Sequence, residues 1–230
     1  MKQVTKQSII VIIIIGLWIS QVVAAINFAE VSSVALSSFW DIFIVSVGYG
    51  LLFVVVVILL LKFQDGSLKQ FILSKNRSLK KQLIFGLLLG IIMTFLALIV
   101  VSPIVKQLIP QQSNNEVALS DYFSDLIYLP FWMIIALFKG GFSEELWRTF
   151  GLVQFQKKFG NIGLYIALIL GSFVFAMGHY YQGIDGVITS GIGGIIYGIV
   201  FIKRGSAFEL IIAHGFRDVI SILLGYMIFY

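Results

Sequence analysis

The residues of this chain that could do chemistry lie in three short motifs towards its C-terminal end. They are Gly141-Phe-Ser-Glu-Glu-Leu-Trp-Arg148, Phe175-Ala-Met-Gly-His179 and His214-Gly-Phe-Arg-Asp218, and they contain both histidines of the sequence. A carboxylate can take a proton from water, an imidazole can hold or protonate a reacting oxygen, and a cation can orient a carboxylate. The motifs therefore predict a hydrolytic site, provided that the fold brings them together.

The spacing within the motifs favours helices. Four residues along an α-helix advance the side-chain direction by only about 40° and one turn. Glu144 then shares a helix face with Arg148, and His214 with Asp218. Within each pair, one side chain can neutralise or orient the other.

The composition indicates that these helices lie in a membrane. Of the 230 residues, 59% are hydrophobic and 12% are charged, whereas about a quarter of an ordinary soluble domain is charged. The absence of cysteine excludes a disulfide framework, a zinc ribbon, an iron–sulfur cluster and a cysteine nucleophile. The net charge of +5 comes from basic residues in short loops, so we expect no nucleic-acid partner.

Apolar runs long enough to cross a bilayer recur along the chain. They predict an all-α, polytopic transmembrane helical bundle of about seven spans, with six to eight as the range. Residues 1–123 would form three N-terminal spans with a basic inner loop, and 124–230 the catalytic core, in one integrated membrane domain. The runs are roughly 8–29, 38–61, 83–105, 124–142, 162–182, 184–202 and 207–229.

The basic residues predict the orientation of the spans. With a cytoplasmic N-terminus, only Lys106 falls in an outer loop, which agrees with the positive-inside rule and places the C-terminus outside. Six or eight spans would reverse the C-terminus. We expect a bacterial plasma membrane and contact with membrane lipid. The residues predicted to lie inside are Lys2, Lys6, Lys62, Lys69, Lys75, Arg77, Lys80, Lys81, Lys157, Lys158, Lys203 and Arg204.

At the three motifs the sequence resembles the CPBP family, the CAAX-protease and bacteriocin-processing membrane proteins also called Abi. The family pattern is Glu-Glu-x-x-x-Arg, then Phe-x-x-x-His, then His-x-x-x-Asn or Asp, and the resemblance covers roughly residues 124–228. The first motif is one residue short here. Alignment on Arg148 matches Glu144 to the second glutamate of the pattern, whereas alignment on the glutamates displaces the arginine by about 100° around the helix. Either Glu144 or Glu145 can therefore be the catalytic glutamate.

The resemblance implies an intramembrane endopeptidase that hydrolyses a peptide bond of a hydrophobic or membrane-associated peptide or protein. Glu144 or Glu145 would activate water together with His179. His214 and Asp218 would stabilise the oxyanion, and the positioning residue Arg148 would orient the glutamates. In bacterial relatives such enzymes are linked to peptide maturation, bacteriocin self-immunity or peptide signalling.

The same residues leave the cofactor open. Glu145, His179 and His214 are candidates for a three-ligand zinc site with an open position for water. A glutamate can also activate water without a metal. Because no motif with fixed ligand spacing is present, we expect no obligatory cofactor and keep zinc as the alternative.

A simple arrangement of seven straight spans separates the two histidines. His179 falls near the outer end of its span and His214 towards the inner end of its own, and side chains cannot bridge about 30 Å of hydrocarbon. Convergence requires shifted or broken helices. The sequence offers a break at Lys139-Gly140-Gly141 or a re-entrant run at 178–186.

Two other functions fit the pattern of charges. A catalytically silent relative, acting as a membrane scaffold or immunity protein, would keep the fold without the chemistry, and the shortened first motif favours it. A proton-coupled transporter would also carry Glu, His and Arg within its spans.

Overall fold

The computed structural model describes residues 3–35, 38–109 and 125–229, and every regular element in those ranges is a helix. Two π-helical segments, Leu96–Val101 and Ile135–Glu144, precede α5 and α7, and 3-10 turns at Leu126–Tyr128 and Tyr180–Gln182 precede α6 and α8. The α-helices are α1 Gln3–Ala35, α2 Phe39–Phe63, α3 Leu68–Ile72, α4 Leu79–Phe95, α5 Ser102–Leu108, α6 Leu129–Ile134, α7 Glu145–Met177, α8 Gly183–Arg204 and α9 Ala207–Phe229.

The expected all-α transmembrane bundle of about seven spans is confirmed. Five stretches of the described residues are long and apolar enough to cross a membrane, and α9 adds a further helix of 23 residues. Helices suit this environment because their backbone hydrogen bonds are satisfied within the segment. The stretches are Thr5–Asn27, Phe39–Phe63, Leu79–Leu108, Leu126–Met177 and Tyr180–Arg204.

The fourth stretch, of 52 residues, contains two antiparallel spans because α7 folds back at Gly160. Gly160 has φ 65° and ψ −152°, a conformation that residues with a Cβ rarely adopt. The Trp18 ring lies beside both Gly151 and Gly171. In a straight helix these two glycines would be about 30 Å apart, so the two halves of α7 must lie side by side.

The predicted break at Lys139–Gly141 is wrong. The chain continues there as the π-helix Ile135–Glu144, which runs directly into α7. The fourth span therefore extends well beyond the predicted end at residue 142. Its polar residues lower the local hydropathy, but their side chains have partners inside the bundle, so the helix does not need to end.

Close packing holds α9 between α4 and this π-helix. A Cβ at Gly90 would lie 2.7 Å from the carbonyl oxygen of Ala213, and one at Gly141 would lie 2.8 Å from Cα of Gly215. Only glycine permits such short distances between helix backbones. Helices from both halves of the sequence thus share one bundle, since α1 also packs on α7 and α2 on the π-helix.

Candidate active site

Glu145 lies at the buried centre of the polar residues. Its side chain is fully buried and forms an ion pair with Arg148, which is 5% exposed. The other carboxylate oxygen, Oε1, lies 2.9 Å from Nδ1 of His214. Arg148 also donates from Nη1 to the carbonyl oxygen of Gly194 at 2.6 Å. Glu145 is therefore engaged by two side chains from different helices.

Glu144, in contrast, lies on the wall of a cavity. Its carboxylate is 19% exposed, and Oε1 is 2.5 Å from Nζ of Lys139. The second oxygen, Oε2, is 4.0 Å from Nε2 of His214. The gap of 4.0 Å is longer than a direct hydrogen bond and leaves Oε2 available to water.

The π-helix explains why Lys139 reaches Glu144. In an α-helix, residues five apart point about 140° away from each other. A π-helix instead bonds residue i to residue i+5, which brings these residues onto adjacent turns of the same face. Lys139 and Glu144 both belong to the π-helix. The local helix type therefore supplies a cationic partner that α-helical spacing would have directed elsewhere.

His179 lies just beyond the C-terminal end of α7, in the turn before α8, and also lines the cavity. Its Nδ1 is 2.9 Å from the carbonyl oxygen of Phe175. A proton on Nδ1 would make this hydrogen bond and leave Nε2 as the nitrogen that can accept a proton. The backbone of the preceding turn thus favours one tautomer.

His214 is fixed on both sides of its ring. Beyond the Glu145 contact at Nδ1, its Nε2 lies 3.4 Å from Oδ2 of Asp218, one turn along α9. Asp218 is itself 3.2 Å from the guanidinium of Arg217. The Tyr197 ring stacks on the imidazole, with 5.7 Å between centroids. The ring is therefore held by carboxylates at both of its nitrogens.

The cavity has a volume of about 400 Å³ and lies between α1, α2, the π-helix and the second half of α7. Lys139, Glu144, Arg148 and His179 supply charged or ionisable groups, and most of the remaining wall is apolar. The apolar part includes the aromatic side chains of Trp18, Phe53, Trp132, Trp147 and Phe175. A hydrophobic chain could therefore contact these walls while one of its polar bonds faces Glu144.

The Phe175 ring connects the two histidines that the sequence appeared to separate. Its centroid is 4.7 Å from that of His179 and 5.6 Å from that of His214. Gly160 and Arg204 lie at the same end of the bundle. Phe175 is 15 residues along the chain from Gly160, whereas His214 is only 10 residues from Arg204, at the end of α8. The spans are therefore shifted along their axes relative to one another. Neither a helix break nor a re-entrant run is needed.

The six predicted site residues lie close together, but only Glu144, Arg148 and His179 line the cavity; Glu145, His214 and Asp218 contact one another outside its lining. Arg148 pairs with Glu145, three residues earlier, and not with Glu144 as the spacing of four suggested. Lys139 was not among the predicted site residues. The sequence signal for it was a lysine within a span, which is costly unless it has a partner.

The three candidate metal ligands do not fit a zinc ion in this arrangement. Among the described residues, no group of three or more His, Asp or Glu side chains is placed to hold a metal. Glu145 is engaged by Arg148, and its Oε1 faces Nδ1 of His214. The chemistry of the site is therefore derived from the side chains themselves.

Comparison with known sequence families gives a match for residues 126–220. The matching family is described as type II CAAX prenyl endopeptidase, Rce1-like. This segment belongs to the CPBP family. The CPBP segment contains all three motifs and covers less than half of the chain, starting at the 3-10 turn before α6. No curated protein and no solved structure matches the chain.

The CPBP match supports an integral membrane protein of the CAAX-type peptidase class. It leaves α1 to α5 outside the matched region, although α1 and α2 contribute to the cavity wall through Trp18 and Phe53. The cavity is thus built partly from the CPBP segment and partly from N-terminal helices of this chain.

Proposed function

We propose that the protein is an intramembrane endopeptidase that hydrolyses a peptide bond in a hydrophobic or membrane-associated peptide. Glu144 is the general base in this proposal, and it acts with His179 on a water molecule in the cavity. The observation that carries the proposal is the position of Glu144 on the wall of an apolar cavity, 4.0 Å from Nε2 of His214.

The first step adds water to the carbonyl carbon of the peptide bond. Glu144 takes one proton from water while the oxygen forms a bond to carbon, and the carbonyl oxygen becomes an oxyanion. The C–N bond then breaks, and the proton passes through Glu144 or His179 to the leaving amine. Both side chains line the cavity, so both can contact the same bound peptide.

The second element is stabilisation of the oxyanion. The positive charge of a protonated His214, close behind Glu144, stabilises the oxyanion, while Glu145 accepts from Nδ1 on one side of the ring. Asp218 carries a carboxylate and cannot donate to an anion, so it acts through the imidazole, which lies 3.4 Å away. Arg148 fixes Glu145 and thereby the ring of His214.

The ion pair of Lys139 with Glu144 defines which carboxylate oxygen is used. Lys139 holds Oε1 at 2.5 Å. Oε2 is then the oxygen that accepts the proton, and it is also the one nearer to His214. Lys139 is a positioning residue in this scheme.

The test measures cleavage of a library of hydrophobic peptides by the protein in proteoliposomes. We expect Glu144→Gln to abolish cleavage, because an amide cannot accept the proton. Asp65→Asn is the matched control, since it makes the same chemical change at a remote, exposed carboxylate. Asp65 has φ 59°, which asparagine tolerates. Full cleavage by Glu144→Gln would exclude Glu144 as the base.

A catalytically silent membrane partner is the second candidate, and the Lys139 contact favours it. An ion pair at 2.5 Å between two residues of one π-helix is also what a purely structural contact would give. Under this alternative, the wild type cleaves no peptide, and Glu144→Gln keeps full biological function in cells. Loss of that function in Glu144→Gln, with the protein still folded in the membrane, would favour the peptidase.

A further inference from the structure

One end of the bundle carries almost all of the basic residues outside the site. The start of α1, the α2–α4 region, the fold-back of α7 and the α8–α9 connection meet there through polar contacts. These contacts join Lys6 to Asp65 at 3.6 Å, Lys158 to Ser8 at 2.7 Å, Lys157 to Gln64 at 3.3 Å and Arg77 to Glu209 at 3.1 Å. We call this the basic end.

The opposite end has a different character. Phe39, Trp132 and Tyr226 form a separate aromatic cluster there, and the hydroxyl of Tyr226 donates to the carbonyl oxygen of Asp125 at 3.1 Å. Among the described residues, Lys106 is the one Lys or Arg side chain on this side beyond the site. The structure thus gives the membrane protein two ends of very unequal charge.

The cavity lies nearer to the aromatic end. Glu144 precedes Lys157 by 13 residues, so it lies about 20 Å along the helix from the basic end. His179 follows Asn161 by 18 residues, which places it about 27 Å away. Half of the hydrocarbon core is only about 15 Å thick. Measured from the basic end, His179 therefore lies beyond the middle of the bilayer, and Glu144 lies close to the middle.

The unequal charge indicates which end of the bundle faces the cytoplasm. Short loops rich in Lys and Arg stay in the cytoplasm during insertion. We infer that the active-site cavity opens on the extracytoplasmic side and takes a hydrophobic peptide that has already been exported or that lies in the outer leaflet. The substrate named here rests on the proposed peptidase function, whereas the side of the opening does not.

The cavity wall supports entry from that half of the membrane. Ala24 of α1 and Val45 and Tyr49 of α2 line the cavity and are exposed, so this part of the cavity is not enclosed by the bundle. Val45 is 51% exposed. The cavity wall formed by α1 and α2 therefore presents small, apolar and aromatic side chains, which suit a hydrophobic peptide better than a charged one.

The experiment uses three single-cysteine variants, because the natural chain has no cysteine. Ser46→Cys places a thiol on the cavity wall, Asn76→Cys places one in an exposed turn at the basic end, and Ser20→Cys places one on an exposed face of α1 away from the cavity. Each is treated with a membrane-impermeant maleimide in intact cells and again after permeabilisation. A thiol in water reacts, whereas one facing lipid does not.

We expect Ser46→Cys to be labelled in intact cells, Asn76→Cys only after permeabilisation, and Ser20→Cys in neither state. Labelling of Ser46→Cys only after permeabilisation, or in neither state, would overturn the inference, and so would labelling of Asn76→Cys in intact cells. The result does not depend on catalysis. If the expected labelling is found but Glu144→Gln still cleaves peptides, the side of the opening stands and the proposed mechanism fails.

Discussion

The buried pair of Glu145 and Arg148 gives the most quantitative prediction. Glu145 is fully buried and Arg148 is 5% exposed. Arg148→Met removes the ion pair and the bond to the Gly194 carbonyl oxygen and leaves the carboxylate with His214. Removal of one partner from a buried pair costs about 3–5 kcal/mol, because the remaining charge is desolvated without its counter-ion. We expect a loss of that size in the free energy of unfolding.

The assay is a double-mutant cycle on the protein purified in detergent, with unfolding followed by circular dichroism. Glu145→Gln alone should cost a similar amount, because it leaves the guanidinium unpaired. The double variant should be no less stable than either single one, since both buried charges are then gone. This corresponds to a coupling energy of at least about 3 kcal/mol, the size of one single loss.

Additive losses would refute the reasoning, because they would mean that the two side chains do not interact. A loss below about 1 kcal/mol for Arg148→Met would refute it too, since that is the size expected for an exposed pair. A further control, Arg148→Thr with Thr149→Arg, restores the family spacing of the arginine. We expect it not to restore stability, because the Gly194 contact is made from position 148.

Three more predictions concern catalysis and packing. Lys139→Met should lower kcat about tenfold with little change in KM, whereas Lys139→Arg, which keeps the cation next to Glu144, should retain most of the activity; equal kcat for all three proteins would contradict the positioning role. Gly141→Ala should cost about 1–3 kcal/mol in the free energy of unfolding, because the added Cβ would lie 2.8 Å from Cα of Gly215. Gly48→Ala is the control, with no atom within 4 Å of its added Cβ, and equal effects would contradict the packing argument. Treatment with EDTA or phenanthroline should leave peptide cleavage unchanged, because no three ligands converge among the described residues, and a loss reversed by zinc would show that a metal is required.

Much of the candidate site could be predicted from the sequence, because the cost of charge in a membrane is independent of the fold. His179, His214 and Asp218 stood out as ionisable residues within apolar runs, and Glu144 and Arg148 as ionisable residues just beyond the end of one. Their order and spacing produced the resemblance to the CPBP family that the match over residues 126–220 supports. The number of spans and the asymmetric charge followed from hydropathy and from the positions of Lys and Arg.

The different surroundings of Glu144 and Glu145 could not be predicted in this way. Motif spacing assumes a regular α-helix, and under that assumption Arg148 pairs with Glu144 and Lys139 points elsewhere. The π-helix Ile135–Glu144 brings Lys139 to Glu144, and Arg148 pairs with Glu145 at the i, i+3 spacing that an α-helix allows equally well. Helix type at one position depends on the packing of α2 and α9 around the segment, and hydropathy does not report it.

The sequence by itself determined that this protein is a helical membrane protein with a polar, CPBP-like set of residues, because burial in lipid constrains composition residue by residue. Only the tertiary structure decided that Glu144 faces the cavity, that Glu145 is engaged by Arg148 and His214, and that both histidines contact one phenylalanine ring. These relations depend on the fold-back at Gly160 and on the relative shift of whole helices along their axes. Packing between distant segments sets both, and no local pattern in the sequence specifies them.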